Sequence, residues 1–451
     1  MQLTVARDAP ALLERRAGDG RIASVTVEID PAVDVSAAVL AARRPSDRWF
    51  CFEQPDRDGY AVCGLGAAAV VEASGPDRFA SVAEECRRLG RGAVYDRVDL
   101  PGAGPVFVGG FSFVPSGGRT PEWESFAPAQ MVLPELSLAR FGDQATLTLT
   151  AVGDPASALA RFEELRPAAM PLIDPDPAIS PRVVSEAPPE HFEEAVRRAV
   201  ERIRGGELEK VVLARIVRVH AARAHDPGAL FGALREVFPS CYSYCVGTPE
   251  GAFVGASPEL LVRRDGARAQ TVALAGTTRR SADPAVDDHL GEQLLTSAKN
   301  RAEQAIVAQR IERTLEPVSV WVTVADRPVL VKVHNVQHLG TPIRAQLAEP
   351  LPVLELAGRL HPTPAVGGEP RDEAVRLIPA LEGIDRGWYA GAVGWTDLEE
   401  DGELCVAIRC ALIRDEVAHL FAGNGIVADS DPADELAETE AKLQALLPLL
   451  A

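Results

Sequence analysis

Seven prolines crowd the short passage from Pro167 to Pro189 (Pro167, Pro171, Pro175, Pro177, Pro181, Pro188 and Pro189). Each ring removes a backbone N–H and fixes φ, so neither a helix interior nor a central strand tolerates that density. Residues 166–189 therefore read as an exposed connector between an N-terminal half, 1–165, and a longer region, 190–451. In the first half, short β-rich runs such as Ser24–Ile29 and Ala145–Thr150 are separated by glycine-rich turns, as at Gly109-Gly110, which predicts α+β structure with much antiparallel sheet. In the second, Phe192, Val196, Val200 and Ile203 recur at helical spacing until Gly205-Gly206. Strands are predicted at 210–219, 252–262, 269–274 and 405–413, with one long helix over 287–315. This order suits a large α+β sandwich rather than a βαβ nucleotide fold, and neither GxGxxG nor a P-loop occurs.

The formal charge of −19 and the lack of a basic run argue against nucleic acid and anionic membranes as partners. The seven cysteines are scattered, with no C-x-x-C pair, which argues against a zinc site or disulfide framework and suits a reducing cytoplasm. No signal-peptide core and no apolar run of ~18 residues is present, so a soluble cytoplasmic protein is expected.

Chemistry concentrates near the C-terminus. A glycine turn around Gly423 and Gly425 precedes Asp431-Pro432, a helix start that places Glu435, Glu438 and Lys442 on one helix face. Glu303 offers a second helix carboxylate far upstream. Two such carboxylates suit a Mg²⁺ ion shared with an anionic substrate, although Glu303 with Lys299, and Glu438 with Lys442, also read as plain i,i+4 pairs. Arg409, on a strand face with Cys405, Ala407 and Ala411, reads as a guanidinium facing an anion or as a structural salt bridge. Lys210, at the start of an apolar strand, is a candidate general base or an edge lysine. Glu259 follows Pro258 inside an apolar run, so a bulge or turn there either aims it into a cleft or leaves it solvated. His338 is a candidate donor to substrate or a satisfied core histidine.

In order, Lys210-Val-Val-Leu-Ala-Arg215, Gly255-Ala-Ser-Pro-Glu-Leu260, Leu274-Ala-Gly-Thr277, Lys299-Asn-Arg-Ala-Glu303, His338-Leu-Gly-Thr341, His361-Pro-Thr-Pro-Ala365, Gly391-Ala-Val-Gly-Trp395, Ile408-Arg409 and Ala422-Gly-Asn-Gly-Ile-Val427 resemble the motifs of the chorismate-utilising enzymes, the group that includes anthranilate synthase component I. The resemblance spans about residues 190–450 and is specific as an ordered set. It implies a sandwich of two sheet-plus-helix halves with the site between layers. Ala365, where the aminating and salicylate-forming relatives carry threonine, makes the chain most similar to isochorismate synthases. These are isomerases that add water at one ring carbon of chorismate as hydroxide leaves from another.

The resemblance further implies a role for each site residue. Lys210 is the base and Glu259 the acid. Glu303 and Glu438 are Mg²⁺ ligands, with Glu435 near the metal. Arg409, Tyr389 and the Gly425 backbone bind the enolpyruvyl carboxylate, the preceding Gly423 belongs to the same glycine segment, and Gly276, Thr277, His338 and Lys442 meet the ring. It also implies a monomer serving menaquinone or siderophore biosynthesis. A salicylate synthase and a weakly active chorismate-binding subunit are the rival expectations. Two motifs depart from the family pattern: in the first, Asn300 stands for aspartate and Gln304 for histidine, and in the second Asn424 stands for alanine.

Overall fold

The computed structural model describes residues 8–173, 181–334 and 336–450. Among these residues the chain forms a twelve-stranded and a ten-stranded sheet, with helices against them. Each sheet draws strands from both sides of the proline passage. Trp49–Gln54 pairs with Tyr242–Thr248 in the larger sheet, and Val106–Phe111 pairs with Ala392–Asp397 in the smaller one. Part of the proline-rich connector, residues 174–180, lies outside the described residues. Arg182–Ser185 forms a strand on Lys210–His220, and the helix Pro189–Arg204 begins at once after it.

One core runs between the sheets. Its aromatic centre joins Phe253 of the larger sheet to Trp123, Phe126 and Trp388 in edge-on contacts. A second core lies against the larger sheet and includes side chains of Val35–Ala42 and Pro227–Val237. Lys210–His220 is β-branched and almost wholly buried because it is covered on both faces.

Four expectations change. The run 252–262 is two strands, Gly251–Ser257 in the larger sheet and Leu260–Asp265 in the smaller, because Pro258 ends the first ladder. The run 405–413 is likewise two, Gly402–Val406 in the smaller sheet and Cys410–Arg414 in the larger. Arg409 is therefore not on a strand face. It sits in the crossover with φ 51°, a left-handed conformation rare outside glycine. The single helix over 287–315 is interrupted at Ser297, whose side chain caps the second helix by accepting from the Asn300 N–H at 3.3 Å. Finally, Gly109-Gly110 and Gly423–Gly425 lie in strands rather than turns. A Cβ on Gly109 would stand 2.0 Å from the Gln130 carbonyl oxygen, so backbone proximity explains that glycine.

Candidate active site

The two crossovers between sheets lie side by side. The Val406 N–H donates to the Glu259 carbonyl at 3.0 Å, and the Ala256 N–H donates to the Arg409 carbonyl at 3.0 Å. The candidate side chains Glu259 and Arg409 thus leave the chain where it passes between layers. Beside them opens a cavity of about 810 Å³, its mouth included, lined by every candidate side chain and glycine named from the sequence.

Lys210 opens its strand and is 1% exposed, which separates it from solvated edge lysines. Its Nζ lies 2.8 Å from Glu303 Oε1 on the helix Ala298–Leu315. Glu303 therefore pairs across the fold and not with Lys299, which faces Glu435 at 3.6 Å. Replacing a buried pair of this kind by apolar side chains is commonly neutral or stabilising by about 1–4 kcal/mol, so stability alone does not account for it. Gly425 makes room for the pair: a Cβ there would lie 2.4 Å from Glu303 Oε1 and 2.6 Å from Lys210 Cε.

Glu259 is 3% exposed. Burial pushes its carboxyl up to about 8, against the opposing charges of Lys210 and Arg409 and a weak 3.4 Å hydrogen bond from the Thr363 hydroxyl. A carboxyl in this state holds a proton at neutral pH, as a general acid requires.

Arg409 has no carboxylate partner among the described residues. Its Nη2 donates to His338 Nε2 at 3.2 Å. A guanidinium only donates, so Nε2 is the unprotonated nitrogen and the hydrogen sits on Nδ1. That nitrogen faces the Gly276 carbonyl at 3.2 Å and Thr277 Oγ1 at 3.0 Å. Burial, then the charges of Arg409 and Lys442, hold His338 well below its ordinary value, so the ring is neutral. Both nitrogens are occupied by protein, and His338 orients Arg409 instead of presenting a donor to the cavity. The β-bulge between Ala275 and Thr277 and the φ of 69° at Gly276 turn this corner of the strand toward the histidine. Tyr389 stacks on Phe421 with centroids 5.0 Å apart, and its hydroxyl overlies Gly423, where a Cβ would stand 2.7 Å away.

The helix Pro432–Leu443 starts as its sequence predicts. Asp431 accepts from the N–H groups of Ala433 and Asp434 at 3.0 and 3.2 Å. Lys442 spends its three donors on the Gly423 carbonyl, Asn424 Oδ1 and Glu438 Oε1, at 2.9, 2.8 and 2.8 Å. The expected i,i+4 pair is therefore present. Glu435 accepts from Ser430 Oγ at 2.7 Å and Asn424 Nδ2 at 3.1 Å. Burial raises the Glu435 carboxyl. It would raise Glu438 too, but Lys442, Arg409 and Lys299 together hold Glu438 below the ordinary value.

Among the described residues no group of His, Cys, Asp or Glu forms a ready metal cage. Glu303 and Glu438 nonetheless each keep one carboxylate oxygen free of protein partners among those residues. Two spare hard oxygens beside an open cavity match Mg²⁺, which takes one or two carboxylates and fills its remaining positions with water and substrate.

The sequence reading did not assign roles to Asn300, Val366 and Phe421, which also line the cavity. The motif Lys299–Glu303 contained the signal for Asn300. Gln304, one of the departures from the family pattern, ties its helix to the sheet by donating to the Ala273 carbonyl at 2.8 Å and Thr341 Oγ1 at 2.9 Å.

The family described as chorismate binding enzyme matches residues 7–451. The chain is 37% identical over 440 residues to the salicylate biosynthesis isochorismate synthase of Pseudomonas aeruginosa, covering 95% of this chain and 90% of that protein. It is 33% identical over 438 residues to isochorismate synthase MenF of Bacillus subtilis, covering 95% and 93%. Its structure is similar to that of MenF, the menaquinone-specific isochorismate synthase from Escherichia coli, with a TM-score of 0.83 and 28% identity over 98% of this chain and 99% of that chain.

Proposed function

The chain belongs to the chorismate binding enzyme family, within its isochorismate synthase branch, and we propose that it converts chorismate to isochorismate with Lys210 as base and Glu259 as acid. The observation that carries this reading is a buried amine and a buried, protonated carboxyl on one cavity that also holds a guanidinium without a carboxylate partner among the described residues. Lys210, once freed of its proton and its Glu303 contact, takes a proton from water as the oxygen bonds to one ring carbon. Both ring double bonds shift in turn, the C–O bond at the other carbon breaks, and the departing hydroxide takes the Glu259 proton and leaves as water. The spent ammonium and carboxylate then exchange a proton through solvent, which closes the cycle. Arg409, aimed by His338, supplies charge for a substrate carboxylate.

Mg²⁺, when bound, would stabilise charge on a substrate carboxylate as a Lewis acid. Glu303 and Glu438 are the residues that would hold it. Glu303→Ala and Glu438→Ala should each weaken Mg²⁺ binding in calorimetry without substrate, and the double variant should fall short of the sum because one ion depends on both. If these side chains only make ion pairs, with Lys210 and with Lys442, the Mg²⁺ titration is unaltered in both single variants.

Ala365 lines the same cavity, on the segment that brings Thr363 to Glu259. It bears no hydrogen-bonding group where the salicylate-forming pattern has a hydroxyl. Ala365→Thr is expected to raise the ratio of pyruvate to isochorismate. A change of about 1.4 kcal/mol between the two barriers alters that ratio tenfold. Pyruvate is followed with lactate dehydrogenase and isochorismate by chromatography. An unchanged ratio removes Ala365 from control of the outcome.

A further inference from the structure

We propose that Asn424 is a positioning residue for substrate binding: one side-chain amide locks the Lys442 ammonium and the Glu435 carboxylate of the helix Pro432–Leu443 onto the strand Val417–Ile426. The inference deepens the reading of the site as a chorismate site and rests on it. Asn424 is 1% exposed. Its Oδ1 accepts from Lys442 Nζ at 2.8 Å, while its Nδ2 donates to the Glu435 carbonyl at 2.6 Å and to Glu435 Oε2 at 3.1 Å. An amide does both because one end accepts and the other donates. Alanine, the residue of the family pattern, does neither, and aspartate keeps only the accepting end.

The consequence falls on binding more than on chemistry. Lys442 is held by three acceptors, and one of them is Glu438. Fixing Lys442 therefore fixes the carboxylate that lines the cavity. Glu435 also lines the cavity, but its oxygens are engaged by Ser430, Asn424 and Lys299, so the anion does not meet a further free carboxylate. Lys210 and Glu259 sit on other elements and make no hydrogen bond to this amide. Groups that act on the bound ground state and the transition state alike change KM and leave kcat.

The test compares wild type, Asn424→Ala and Asn424→Asp, with thermal melting as the control for folding. Chorismate affinity is read as KM and by equilibrium binding without turnover. Asn424→Ala, smaller than the residue it replaces, should fold, raise KM about fivefold or more and change kcat by less than about threefold. Asn424→Asp should raise KM further, since its carboxylate faces that of Glu435. Adding Glu435→Gln should recover part of that second loss, because the amide donates where the carboxylate repelled. If folded Asn424→Ala and Asn424→Asp both keep the wild-type KM and binding constant, or if kcat alone falls, Asn424 has no positioning role. Wild type that neither binds nor turns over chorismate would instead overturn the functional reading itself.

Discussion

Lys210→Ala is expected to lower kcat on chorismate by about 10²–10⁴-fold, the usual loss when a general base is removed, while chorismate binding stays close to wild type. The side chain is 1% exposed, starts its strand at the cavity wall and touches Glu303. Its removal empties a small space beside Gly425 and leaves Glu303, which is 13% exposed at the side chain, facing the open cavity where water can solvate it. The fold should therefore survive. A small primary amine added to the buffer should restore part of the activity by occupying that space. Steady-state kinetics with and without the amine checks both parts. Wild-type turnover by Lys210→Ala removes the lysine from the mechanism.

Glu259→Gln is the second large effect. The amide matches the carboxyl in shape but holds no transferable proton for the departing hydroxyl. The loss in kcat should again be about 10²–10⁴-fold, with little change in binding. In the wild-type enzyme, activity that depends on protonated Glu259 should fall as pH rises through about 8, the value to which burial pushes this group. Stability carries the same signature with a definite sign. The folded chain keeps a proton on Glu259 that the unfolded chain releases near the ordinary carboxylate value. The stability linked to it is complete below that ordinary value and is lost as pH rises through about 8. Glu259→Gln has no such loss, so its melting temperature should gain on that of wild type between about pH 6 and about pH 9. A constant difference across that range would mean that Glu259 does not titrate as its burial requires.

The sequence carried the helices and the content of the site further than it carried the architecture. Pro189–Arg204 and Pro432–Leu443 follow from apolar spacing, an Asp cap, a proline start and a glycine stop, all local signals. The sheets are different, because their pairings join residues far apart in the chain, such as Trp49–Gln54 with Tyr242–Thr248. No local pattern reports such pairing. The same limit hid the nature of Glu259 and Arg409. Pro258 marked a break near the first, but an apolar run that passes from one sheet to another reads as one long strand, since both pieces are buried.

Partner choice was also beyond local spacing. Lys299 and Glu303 are placed for an i,i+4 pair, yet the buried Lys210 takes Glu303 and Lys299 faces Glu435. At Lys442 the local signal and the fold agree, and the pair with Glu438 forms. The tautomer of His338 was invisible in the sequence because it depends on Arg409, which reaches it across the cavity wall.

The most direct measurement of the central claim is the product formed from chorismate by the purified chain with Mg²⁺ in ¹⁸O-enriched water, analysed by chromatography and mass spectrometry. Water addition with loss of hydroxide predicts isochorismate bearing one ¹⁸O at its new hydroxyl, with no pyruvate released. Unlabelled isochorismate, or chorismate recovered unchanged, would contradict the account.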